Sequence, residues 1–138
     1  MANKTKVYAF VGPSGTGKSY RAQMVAGEND IHYIIDDGLL VRDNDVIAGV
    51  SAKKAPTKIE TVKRAIFIDE KERKEMREAL KKFKPESILI LGTSDDMVEK
   101  IATNLGLEVP EKTIYIHQVA TETEMETAKR IRTTEGKH

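Results

Sequence analysis

One run of residues carries the chemistry most plainly. Gly12-Pro13-Ser14-Gly15-Thr16-Gly17-Lys18-Ser19 fits the spacing G-x-x-x-x-G-K-[ST] of a phosphate-binding loop. Gly12, Gly15 and Gly17 allow backbone conformations closed to other residues and let N–H groups approach an anion. A helix starting behind them adds unsatisfied donors and the positive end of its dipole. The Lys18 ammonium can reach the terminal phosphates of a nucleotide, and the Ser19 hydroxyl can ligate a divalent cation. Tyr20 follows directly and completes the candidate phosphate-binding set. A glycine-rich turn that binds nothing would explain the glycines, but not the Lys-Ser pair at this spacing.

The flanking segments supply the setting such a loop needs. Lys6-Val7-Tyr8-Ala9-Phe10-Val11 is a β-prone apolar run, and Ala22, Val25 and Ala26 recur at helical spacing beyond the loop. Further on, Ile31-His32-Tyr33-Ile34-Ile35 reads as a strand stopped by Asp36-Asp37-Gly38. Leu39-Leu40-Val41 and Val46-Ile47-Ala48 flank a polar turn, a small β-hairpin insertion. Thr57-x-x-Glu60 opens a helix with Ile59, Val62 and Ile66 on its inward face, and a second helix runs from about Glu70 to Phe83. Ile88-Leu89-Ile90-Leu91 has the fully apolar pattern of a central strand covered on both faces. Thr93-x-x-Asp96 caps a helix ended by Gly106, Thr113-Ile114-Tyr115-Ile116 is a strand, and Thr121-x-x-Glu124 opens a last helix with Met125, Ala128 and Ile131. Strands alternating with helices imply an α/β fold, a three-layer, doubly wound, mostly parallel sheet in one domain over residues 1–138.

In such a sheet ligands bind beyond the carboxyl ends of the strands. A phosphate-binding loop works there with a carboxylate that holds the metal, and two segments compete for that role. Asp36 ends a clear strand, although Asp36-Asp37-Gly38 also reads as turn chemistry, and Asp37 is the weaker partner of the two. Ala65-Ile66-Phe67-Ile68-Asp69-Glu70 has the apolar-Asp-Glu form of an ATPase acid pair, yet Asp69-x-x-Glu72 is also a capping box. The spacing therefore favours Asp36 for metal or catalysis, beside Lys18, and Asp69 for a helix cap. Thr93, Ser94 and Asp95 sit where a water-positioning or γ-phosphate-sensing group belongs, and helix capping explains them equally. Lys53, Lys54 and Lys58 lie where a loop could close on phosphates, or form an exposed basic linker. Arg130 and Arg132 are minor candidates for a base or phosphate contact. His32, His117 and His138 show no metal-ligand spacing.

Composition narrows the classes. A chain of 138 residues buries enough surface to need no staple, and it has no cysteine for disulfides, thiolate metal sites or thiol nucleophiles. No apolar run nears the roughly 20 residues that span a bilayer, and no signal-peptide core opens the chain. A cytoplasmic protein with no membrane partner is expected. The net charge of +1 makes nucleic acid an unfavoured partner, although residues 53–84 carry 12 lysines and arginines against 6 acidic residues.

The quoted loop makes the chain similar to the P-loop NTPase superfamily, and the short layout looks most like small nucleotide or metabolite kinases. More narrowly, Tyr33-Ile34-Ile35-Asp36-Asp37-Gly38-Leu39-Leu40, Ser51-Ala52-Lys53-Lys54 and Leu89-Ile90-Leu91-Gly92-Thr93-Ser94 resemble a bacterial family known only as ATP-binding proteins. That resemblance brings no assigned reaction and suggests the N-terminal part of something longer as readily as an isolated domain. The superfamily implies ATP with Mg²⁺ as cofactors, γ-phosphoryl transfer or hydrolysis, and a small-molecule or protein acceptor. The nearest string to a guanine-reading motif, Thr57-Lys58-Ile59-Glu60, has Glu where Asp is required, which favours ATP. No transporter-type signature is present, and length with no arginine-bearing second subdomain argues against a ring-forming motor. A nucleotide-dependent switch with little turnover and a nucleic-acid-associated NTPase are the rival readings.

Overall fold

The apolar runs pair into one six-stranded sheet, seen in a computed structural model that describes residues 5–13, 18–52 and 55–119. In chain order the elements are β1 (Lys6–Val11), α1 (Lys18–Glu28), β2 (Tyr33–Asp36), β3 (Leu39–Arg42) and β4 (Asp45–Gly49). They continue with α2 (Lys58–Ala65), α3 (Glu70–Phe83), β5 (Ser87–Gly92), α4 (Asp95–Asn104), β6 (Lys112–Tyr115) and the single turn α5 (Ile116–Val119). The strand order is β4-β3-β2-β5-β1-β6. Parallel pairing joins β2 to β5, β5 to β1 and β1 to β6, while β3 runs against both of its neighbours. The expected α/β, mostly parallel, three-layer sheet is what the chain forms.

Core packing follows the two-residue period of the strands. On β5, Ile88 and Ile90 join the cluster beneath α3 and α4, while Leu89 and Leu91 join the cluster beneath α1. All four are at most 3% exposed, as a central strand covered on both faces requires. On the α1 side, Ala22, Val25 and Ala26 pack against Phe10, Ile34 and Ile114. On the other side Met76, Leu80, Val98 and Ile101 close over Val7, Ala9 and Ile35.

The hairpin is larger than the sequence suggests. Asp37 (φ 50°) and Gly38 (φ 82°) form one two-residue turn, and Asp43 (φ 45°) and Asn44 (φ 77°) another. Positive φ at both central positions matches the strand twist of a tight hairpin. β2, β3 and β4 are therefore a continuous meander, and β2 is at once a parallel neighbour of β5 and an antiparallel neighbour of β3.

Several helix limits match the capping signals. Thr57 accepts from the Glu60 N–H at 3.1 Å and Asp69 from the Glu72 N–H at 2.9 Å. α1, α2 and α4 close with paired bonds back to their last turns, through Asp30 (φ 56°), Phe67 (φ 61°) and Gly106 (φ 72°) respectively. Two expectations need correction. The cap of α4 is Ser94, which accepts from the Met97 N–H at 3.1 Å, because the Thr93 hydroxyl is turned to the Met97 sulfur at 3.4 Å. The stripe of α2 does not face the core: Ile59 and Val62 are 69% and 57% exposed, and only Ile66 packs inward. The expected helix from Thr121 lies outside the described residues. Among the described residues no helix is long and apolar enough to cross a membrane.

Candidate functional site

β1 delivers the loop to the rim. Gly12 is buried at its end, and its N–H donates to the Gly92 carbonyl at 3.2 Å, tying the loop to the end of β5. On the far side of the loop α1 begins directly at Lys18 and is anchored by Ala22, Val25 and Ala26. Its first-turn N–H groups have no acceptor within the helix. Lys18 Nζ donates to the Pro13 carbonyl at 3.2 Å, which ties the ammonium to the residue that follows Gly12. Ser14, Gly15, Thr16 and Gly17 lie outside the described residues. Tyr20 is 85% exposed on the first turn of α1.

The second part arrives from β2. Asp36 is its last residue, and Ser19 Oγ donates to Asp36 Oδ2 at 2.8 Å. β1 and β2 are not neighbours, since β5 lies between them. The contact thus spans the sheet's carboxyl edge from α1 to β2. A hydroxyl and a carboxylate at this separation are hard oxygen donors of the type that suits Mg²⁺, and they stand beside a lysine and a helix N-terminus that suit phosphate. The donor set fits a magnesium nucleotide.

Other candidates fall elsewhere. Asp37 lies in the turn behind Asp36, where its carbonyl accepts from the Ala52 N–H at 2.7 Å. Asp69 caps α3, and the strand that its apolar flank suggests does not form, because Phe67 takes a left-handed backbone while its ring is 1% exposed. Thr93, Ser94 and Asp95 stand at the end of β5, on the same edge as Asp36. Lys58 opens α2, while Lys53, Lys54, Arg130, Arg132 and His138 lie outside the described residues.

Two side-chain groupings were not signalled by motif spacing. The Tyr115 hydroxyl donates to Asp95 Oδ2 at 2.8 Å, joining the end of β6 to the first turn of α4. That bond, with some desolvation and the charge of Asp95, raises the Tyr115 phenol above its ordinary value. The His117 ring stacks on Tyr115 at 5.7 Å between centroids. His32 meets Asp43 at 2.9 Å, and this hydrogen bond, reinforced by the carboxylate's charge, raises the imidazole above its ordinary value. The His32 pair bridges the start of β2 to the β3–β4 turn, at the opposite end of β2 from Asp36.

Comparison with known proteins supplies the remaining observation. No curated protein matches the chain. The family described as "ATPase family associated with various cellular activities (AAA)" matches residues 8–116, a span that runs from β1 to the start of α5. This agrees with the P-loop superfamily and supports ATP as the nucleotide, without adding support for the narrower likeness to small kinases. With the loop, the helix behind it and the sheet rim all inside the matched span, the chain belongs to this ATPase family.

Proposed function

We propose that the protein binds ATP with Mg²⁺ and hydrolyses or transfers its γ-phosphoryl group. The observation that carries this reading is the 2.8 Å contact between Ser19 Oγ and Asp36 Oδ2 at the rim of the sheet. Gly12 to Tyr20 form the phosphate-binding set, in which backbone N–H groups and the α1 terminus take the phosphate oxygens. Lys18 places its positive charge against the terminal phosphates and exchanges its bond to the Pro13 carbonyl for them. Ser19 and Asp36 hold the metal, which supplies charge neutralisation for phosphoryl transfer. The Asp36 carboxylate also orients the Ser19 hydroxyl by accepting its hydrogen bond.

The test is phosphate release from ATP, alone and with a panel of small acceptors. Release or transfer with the wild type is expected, and Lys18→Ala should lower nucleotide affinity or turnover at least tenfold, about 1.4 kcal/mol. Folding stability should hold within about 1 kcal/mol, since the lysine's contact to Pro13 is an exposed one. Unchanged binding and rate in Lys18→Ala would remove the role given to this residue. Tight ATP binding with no turnover under any condition would favour the switch reading. That reading draws on the bond from Ala52 N–H to the Asp37 carbonyl, which ties the turn behind Asp36 to the segment leading into α2.

A further inference from the structure

The loop, the lysine and the metal donors account for the phosphate end of a nucleotide and leave the base without a seat. The rim beside the loop carries an aromatic stack. β6 is the outer neighbour of β1 and runs parallel to it, so its carboxyl end opens on the same edge as the loop. Tyr115 pairs with Val11, the residue before Gly12, which sets its backbone one strand spacing, about 4.8 Å, from the start of the loop. The His117 ring lies on the Tyr115 ring at 5.7 Å between centroids and 14° between planes, an offset stack. Contacts on several sides hold that pair in place. The Tyr115 hydroxyl donates to Asp95 Oδ2 at 2.8 Å, a link that reaches from the helix after β5 across the end of β1. The Tyr115 N–H donates to the Gln118 side-chain oxygen at 2.7 Å, which folds the turn bearing His117 back on β6. Ile116, between the two rings in sequence, is 3% exposed and packs in the cluster beneath α1. Tyr115 is half-buried and His117 exposed, so the stack ends in an imidazole on the solvent side.

We propose that the Tyr115–His117 stack is the base-binding subsite of the nucleotide site, with the purine ring of ATP lying on the outer face of His117. The inference rests on the nucleotide reading above and adds to it the direction in which the nucleotide lies. Along the carboxyl edge the order is β2, β5, β1, β6. In that reading the metal sits at Asp36 on β2 and the phosphates at the loop after β1, so the base is carried to the remaining flank, where the stack stands. Stacking suits this task because every base offers a π face, and it demands no particular hydrogen-bond pattern. Rings already fixed by Asp95 and Gln118 also lose little freedom when a ligand arrives. The remaining aromatic rings stand elsewhere. Phe10 and Phe67 are buried, and Tyr33 pairs with Phe83 at the start of β2, on the opposite edge of the sheet.

Titration calorimetry of the full chain with ATP and with inorganic tripolyphosphate, each with Mg²⁺, separates the base from the phosphates. His117→Ala should weaken ATP binding about fivefold or more and leave tripolyphosphate binding within about twofold of wild type. His117→Phe keeps a stacking face without ring nitrogens and should hold ATP affinity within about threefold of wild type. Because His117 is exposed, circular dichroism melts of both variants should match the wild type. In proton NMR the His117 ring signals, assigned by their absence in His117→Ala, should move upfield on adding ATP and stay in place on adding tripolyphosphate. The proposal is overturned if His117→Ala leaves ATP affinity unchanged, if it weakens both ligands alike, or if His117→Phe loses ATP as the alanine variant does. A loss of ATP affinity confined to Tyr20→Ala would put the base on α1 and likewise overturn it. Tripolyphosphate binding that Lys18→Ala abolishes would uphold the phosphate loop whatever His117 does. Failure of the wild type to bind either ligand would refute the nucleotide reading, and the base subsite with it.

Discussion

Replacing Asp36 by Asn is the sharpest probe of the site. Asn keeps the shape of the side chain and a carbonyl that can accept from Ser19 Oγ, while the negative charge is lost. The contact is exposed, so folding stability should change by less than about 1 kcal/mol. The metal-dependent part of nucleotide binding should suffer far more, because a hard divalent cation relies on anionic oxygen. A loss of at least tenfold in affinity for ATP with Mg²⁺ is expected, about 1.4 kcal/mol. Without Mg²⁺ the sign differs. Removing a carboxylate near a polyphosphate relieves repulsion of order 1 kcal/mol at about 4 Å in water, so ATP in EDTA should bind equally or more tightly.

Ser19→Ala should reproduce the Mg²⁺-specific loss. If both residues serve one ion, the double variant should fall short of the summed single losses by about 1 kcal/mol or more. Isothermal titration at constant ionic strength, with Mg²⁺ and then with EDTA, reads all four corners of the cycle. Asp69→Asn is the matched control, because Asn caps a helix as well as Asp does and should leave binding and stability nearly unchanged. If Asp36→Asn binds ATP with Mg²⁺ as the wild type does while Asp69→Asn loses it, the assignment of the acid is wrong.

Three further expectations concern the scaffold. Phe67→Ala should cost about 3–5 kcal/mol for the lost ring, and Phe67→Gly should cost less, since it relieves about 1–2 kcal/mol of left-handed strain; urea melts returning the opposite order would show that the backbone there is not strained. Gly49→Ala should destabilise by about 3 kcal/mol or more, because at φ 95° an added Cβ would run into the Gly38 carbonyl oxygen, and a shift under about 1 kcal/mol in the same assay would refute that close approach. His32, raised above 6.5 by Asp43, gives stability that is fully present below the unfolded pKa and lost as pH rises through the folded value. The melting-temperature gap between wild type and Asp43→Asn should therefore narrow from about pH 5.5 to pH 8.5, and a gap independent of pH would sink the pairing.

The parts of the fold that rest on local chemistry were legible in the sequence. The loop motif, the apolar run of β5 and the caps at Thr57 and Asp69 each reflect a constraint contained within a few residues. What escaped depends on distant partners. The stripe of Ile59, Val62 and Ile66 has the periodicity of a core face, but periodicity records a pattern and not whether another element arrives to cover it. Likewise Thr93 and Ser94 offer equivalent hydroxyls, and the nearby Met97 sulfur decides which of them caps α4. The bond between Tyr115 and Asp95 joins residues twenty positions apart and has no motif at all.

The two candidate acids show the same division more sharply. Both follow an apolar run, and the segment before Asp69 also has the apolar-Asp-Glu form of an ATPase acid pair. Their difference lies in what flanks the run. Ile34 and Ile35 are paired by β5 on one side and β3 on the other, so the carboxyl end of β2 is held in the plane of the sheet. Phe67 instead turns its backbone left-handed to close α2, and its burial offsets the strain with about 1.5–3 kcal/mol of apolar contact. The chain there cannot extend, and the Asp69 carboxylate is left to the N–H of Glu72. An acid at the end of a strand that is paired on both sides, on the edge it shares with β1, lies within reach of a helix on the far flank of β5. Ser19 meets Asp36 on that edge, and the meander that interrupts the alternating pattern is what braces the outer side of β2.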